Sequence, residues 1–114
     1  MIHLTSNTSI LIATQPADFR QGIDGLAAVC QHKLESNPRS GTLFVFINRN
    51  KTMIRALVYE KNGFWLMTKR LSKGKFSGWP SSNSIVSPMA AKHLRQLLHD
   101  ISSAKRVQPV ALNA

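Results

Sequence analysis

The residues of this chain that could do chemistry are few and unevenly signed, with five Asp or Glu against 15 Lys or Arg and a formal net charge of +10. A metal-dependent nuclease or strand-transfer site needs several carboxylates converging on divalent ions. The acids are Asp18, Asp24, Glu35, Glu60 and Asp100. Asp18 and Asp24 would point to nearly opposite sides of a continuous helix. Asp24 follows Arg20 by four residues and reads as its ion-pair partner or as a helix cap. His93 and His99 lack the i, i+4 spacing of a zinc pair, and Gly22-x-x-Gly25 is too short for a phosphate loop and lacks the Lys-Ser or Lys-Thr that would follow. Cys30 falls on an apolar helical stripe, the place of a core residue rather than a nucleophile. These patterns predict a protein that is not an enzyme, with no catalytic residue, metal or cofactor.

The cations are another matter. Between Arg39 and Lys75 stand nine Lys or Arg residues and one acid, Glu60. They are threaded through apolar runs that read as strands, so a folded surface must hold them in a fixed array, which suits a polyanion. The expected nucleic-acid contacts are Arg49, Lys51, Arg55, Lys69, Arg70, Lys73 and Lys75. Trp65, Phe76 and Trp79 lie among them and could stack on unpaired bases, although Trp79-Pro80 could equally cover an edge of a small core. No apolar run approaches the roughly 20 residues that span a bilayer, and the N-terminus lacks a basic region ahead of a long apolar segment. With a single cysteine, these features place the protein in the cytoplasm with no membrane partner.

The elements that must position these residues follow from periodicity. Residues 9–14 form a short apolar strand. Phe19, Ile23, Leu26, Ala27, Cys30 and Leu34 make one helical stripe, weakened by Gly22 and Gly25, so that either the regular helix begins near Asp24 or something packs on the bare backbone. Residues 42–47 are apolar on both faces and read as a central strand. Residues 53–60 and 64–71 follow as strands of an antiparallel meander, joined by the turn signal Lys61-Asn62-Gly63, and residues 75–79 could add a short strand. Ser87-Pro88 opens a second helix as N-cap and first helical residue, with Ala90, Leu94, Leu97, Leu98 and Ile101 on its buried stripe. The expected fold is α+β, a small, mostly antiparallel sheet with two helices in one domain over residues 1–101, and a flexible tail over 102–114.

The hairpin register carries a specific expectation. A two-residue Asn62-Gly63 loop sets Arg55 opposite Arg70, and a three-residue loop sets it opposite Lys69. Either pairing opposes like charges, which destabilises a sheet by a few tenths of a kcal/mol unless an anion bridges them.

Three blocks then resemble a known family. They are Asp18-x-Arg20-x-Gly22-x-Asp24-Gly25-Leu26-Ala27; Asn37-Pro38-x-Ser40-Gly41-x-Leu43-Phe44-Val45-Phe46; and Gly63-Phe64-x-Leu66 with Lys69-Arg70-Leu71-x-x-Gly74-x-Phe76 and Trp79-Pro80. Together they are similar to the small TnpB accessory protein, the second open reading frame of the IS-sixty-six class of bacterial insertion sequences, and the similarity spans residues 10–101. The resemblance implies participation in transposition beside a separate, larger transposase that carries the catalytic acids, and it makes Asp18, Arg20, Asp24 and Gly25 a candidate structural motif. Two roles are compatible with it. The first is a non-catalytic accessory protein that binds DNA at the element ends through the basic hairpin face, and the second is an adaptor that docks the transposase without touching DNA.

Overall fold

A strand can be buried at every residue only if both faces of its sheet are covered, and Leu43–Ile47 is buried at every residue. In the computed structural model, which describes residues 5–99 and 101–102, this strand is the centre of a five-stranded sheet. The elements in chain order are β1 (Ile10–Ala13), α1 (Ile23–His32), β2 (Leu43–Ile47), β3 (Met53–Glu60), β4 (Gly63–Arg70), β5 (Lys75–Phe76), β6 (Val86–Pro88), α2 (Ala91–His99) and β7 (Ile101–Ser102). The sheet order is β4-β3-β2-β1-β6. Strands β1 and β2 are parallel, joined through α1, and the other pairings are antiparallel.

The alternation of β2 divides the core in two. Phe44 and Phe46 pack with Leu57 against Leu26, Cys30 and Leu34 on the α1 side. Leu43, Val45 and Ile47 point the other way, toward Phe76 and the α2 residues Ala91 and Leu94. The expected α+β class, its two helices and the β2-β3-β4 meander are thus present, with a parallel pair added.

Three expectations are corrected. Ser87-Pro88 does not start a helix: both residues belong to β6, paired with β1 as Leu11↔Pro88 and Ile12↔Ser87. The bonds from Thr14 N to Ile85 O and from Met89 N to Ile10 O show that odd-numbered residues of this segment face β1. The nitrogen of Pro88 therefore points to the open edge, where no donor is needed. Ile101 continues not α2 but β7, which pairs with β5 as Phe76↔Ile101 and Lys75↔Ser102. Of the tail predicted over residues 102–114, Ser102 stands in β7 opposite Lys75, and the rest lies outside the described residues.

Both alternatives for the glycines of the first helix are realised. Regular helix starts at Ile23, with Gly22 as an N-cap that makes no side-chain bond. At Gly25 a Cβ would stand 2.5 Å from Cβ of Gln21, so the Gln21 side chain occupies the space over that bare backbone.

The hairpin register is the third correction. The loop is Lys61-Asn62, with Glu60 opposite Gly63, and Lys61 rather than Asn62 or Gly63 takes the left-handed conformation (φ 58°). Compared with an Asn62-Gly63 loop this moves the register by two residues, which keeps every side chain on its face. Leu57 now meets Leu66, and Tyr59 meets Phe64 edge-on with ring centroids 5.0 Å apart. Arg55 faces Thr68 instead of a cation. Apolar pairing and relief of like charge outweigh the local turn signal.

Candidate nucleic-acid interface

Because β1 and β2 are parallel, the chain leaves both at the same end of the sheet. Ala17 N donates to Ile47 O (2.9 Å), which ties the β1–α1 loop to the end of β2. The β2–β3 turn and the chain leaving β4 reach the same end, as Asn48 N donates to Met53 O (3.1 Å), Leu71 N to Thr52 O (2.9 Å) and Phe76 N to Lys51 O (2.8 Å). These segments carry Arg20, Arg49, Lys51, Arg70, Lys73 and Lys75, all exposed.

The turn is built by Asn48. Its Oδ1 accepts from Thr52 N (2.9 Å) and Met53 N (3.1 Å), and its Nδ2 donates to Thr52 Oγ1 (3.0 Å). Lys51 takes a positive φ of 62° within this turn, a strained conformation for a side chain of its kind. Between turn and loop lies a cavity of about 540 Å³ whose lining includes Asp18, Arg20, Asn48, Arg49 and Asn50.

Asp18 is the acid of the β1–α1 loop. Its carboxylate accepts Arg20 Nη2 (2.7 Å), Arg20 Nε and the Arg20 backbone N–H. Those hydrogen bonds from Arg20 come first among the causes that hold its carboxyl down at about 2, and the charge of Arg49 adds to them. The ion pair remains solvated, with the Arg20 side chain 92% exposed. Arg20 pairs with Asp18, not with Asp24, because the residues before Ile23 form an Asp-centred turn rather than helix.

Not every expected contact residue belongs to this cluster. Arg55 sits on the α1 side of β3, where its Nη1 donates to Phe19 O (2.8 Å) and Gln21 O (3.3 Å), its Nε donates to Thr68 Oγ1 (3.2 Å) and its guanidinium lies 4.9 Å from the centre of the Phe19 ring. It fastens the cationic loop to the sheet. Lys69 points to the opposite face from Arg70 and donates to Leu98 O (3.0 Å) in the last turn of α2, satisfying a carbonyl that the helix leaves unpaired.

The aromatics divide likewise. Phe76 is 2% exposed in the core, which corrects its assignment as a base-stacking residue. Trp79 packs on the same core and donates its indole N–H to Ala13 O (3.0 Å), so it closes a core edge. Trp65 is 49% exposed, but it stands near the hairpin loop opposite Val58, at the other end of β4 from Arg70, with its indole N–H on Glu60 (2.9 Å).

Sequence reasoning placed Arg20 in a structural motif and missed its position beside Arg49. The signal was the Asp-x-Arg spacing ahead of a glycine-weakened helix start, which marks a turn. Among the described residues, no group of three or more His, Cys, Asp or Glu is arranged to hold a metal ion, and no helix is long and apolar enough to cross a membrane. Burial pushes the Cys30 thiol up to about 12.

Comparison with known proteins adds the family to which the chain belongs. The chain matches the family described as IS66 Orf2 like protein over residues 8–108. It is 38% identical over 76 residues to the uncharacterized protein y4jC of Sinorhizobium fredii, a match covering 67% of this chain and 65% of that protein. It is 35% identical over 101 residues to the uncharacterized protein y4hO of the same organism, covering 89% of this chain and 87% of the relative. No solved structure matches the chain. With the family pattern extending from before β1 to beyond β7, the chain belongs to the IS66 Orf2-like family, accessory proteins of insertion sequences.

Proposed function

We propose that the chain is a non-catalytic transposition accessory protein that holds DNA, at the ends of its insertion sequence, on the basic end of the sheet. The observation that carries this reading is the convergence of Arg49, Lys51, Arg70, Lys73 and Lys75 on segments joined by backbone hydrogen bonds, beside a loop whose acid, Asp18, is already engaged by Arg20. Cations on short tied segments keep their spacing, so several phosphates can be met at once without ordering a flexible arm. Contacts of this type fix the protein on the duplex and carry little sequence information. The expected behaviour is therefore firm binding at low salt with weak discrimination between sequences.

The test is titration of the purified full chain with labelled element-end duplex and with a scrambled duplex over a series of salt concentrations, with and without the element's transposase. Five or six phosphate contacts predict a slope of about −4.5 to −5.5 for log affinity against log salt. Negligible binding to both duplexes at low salt would refute the proposal. Capture of the transposase in the absence of DNA would instead assign the adaptor role.

A further inference from the structure

We infer that β4 pairs with β4 of a second copy of this chain, antiparallel and centred on Leu66, so that two sheets join into one. The inference is independent of the DNA reading. Strand β4 is eight residues long and lies at the edge of the sheet, with no further strand beside it among the described residues. Natural edges are usually blunted by shortness, proline, a bulge or charged side chains; β4 has no proline and its register with β3 is continuous from Gly63 to Arg70, while its two cations, Lys69 and Arg70, stand together at one end. The two-residue loop and the bond from Leu71 N to Thr52 O make odd-numbered residues of β4 the ones bonded to β3. Phe64, Leu66 and Thr68 therefore turn their N–H and C=O groups outward. Those three residues match themselves about Leu66 and supply about six backbone hydrogen bonds between copies.

The side chains select this partner and register. Trp65 and Met67 are two of the exposed large hydrophobic residues, 49% and 38% accessible, and both project on the α2 side, opposite Val58 and Ala56. Centred on Leu66, Trp65 of each copy meets Met67 of the other, twice over, an aromatic–thioether contact on a shared face. The same register keeps cations apart. Lys69 comes opposite Gly63, where no side chain intervenes and the space is open, with Glu60 of the same hairpin next in line. Arg70 comes opposite Asn62. A register centred on Lys69 would set lysine against lysine and shorten the pairing.

The test is sedimentation of the full chain from micromolar to millimolar concentration at several salt levels, with Met67→Lys, Leu66→Cys and Thr68→Cys variants. The expected result is a concentration-dependent dimer that tightens as salt rises, because each copy carries +10 and screening weakens their repulsion. DNA affinity would move the opposite way, so the two proposals fail separately. Met67→Lys should raise the dimer dissociation constant by about tenfold or more while leaving the urea midpoint in place. Leu66→Cys should form a disulfide with its own symmetry mate on oxidation, since directly paired Cα atoms lie about 5.5 Å apart. Thr68→Cys, which faces Phe64, should not. A monomer throughout, a dimer indifferent to Met67→Lys, or crosslinking at Thr68→Cys in place of Leu66→Cys would overturn the inference.

Discussion

Replacing Arg55 by alanine separates a cation that builds the fold from cations that serve its surface. The guanidinium bonds the carbonyls of Phe19 and Gln21, bonds Thr68 Oγ1 and stacks on the Phe19 ring. Stranding the partly buried carbonyls costs about 1–3 kcal/mol, and losing the stacked cation costs about 0.5–1 kcal/mol more. The expected loss is thus about 2–4 kcal/mol, or a fall in Tm of about 10–20 °C for a domain of this size. Arg70→Ala, by contrast, removes an exposed side chain and should leave stability within about 0.5 kcal/mol. The binding readout inverts the order: Arg70→Ala should reduce the magnitude of the salt slope by about 1, and Arg55→Ala, measured where it is still folded, should leave it unchanged. Urea denaturation and salt-dependent DNA titration of both variants decide the matter. An Arg55→Ala protein as stable as the parent but with a reduced slope would refute the assignment of Arg55 to the fold.

Further outcomes follow from other residues. Cys30, its thiol pushed up to about 12 by burial, should resist a thiol reagent at pH 8 in the native protein and react at the unfolding rate. Asp18 has a folded pKa lowered from 3.8 to about 2; its contribution to stability is complete above the unfolded value and is lost as pH falls through about 2. Its carboxyl should titrate by NMR near 2 in the parent and closer to the ordinary value in Arg20→Ala. Phe76→Ala should lower stability by about 3–5 kcal/mol through a core cavity, whereas Trp79→Phe, which strands only Ala13 O, should lose about 1–2 kcal/mol.

Much of this architecture was legible because apolar spacing encodes it. The continuous apolar run of β2 announced a strand covered on both sides, and the stripe containing Leu26 and Cys30 announced α1. What failed were local signals overruled by partners distant in sequence. Asn62-Gly63 is a strong turn pair, yet the loop slid back to Lys61-Asn62 because Tyr59 and Leu57 gain aromatic and aliphatic partners that way. Ser87-Pro88 has the form of a helix start, yet β1 offers an edge on which proline is harmless. Charge content was readable and charge destination was not. Arg55 and Lys69 look like Arg70 in sequence, and only the neighbouring carbonyls of Phe19, Gln21 and Leu98 set them apart.

The clasp between Arg55 and the Phe19 and Gln21 carbonyls also bears on the thermodynamic character of recognition. A segment anchored before its ligand arrives surrenders little motional freedom on capture, so association here should show a modest entropy penalty and few frozen torsions. Releasing the clasp would turn the same rim into a floppy one, with weaker complexes even though no contacting cation had been removed.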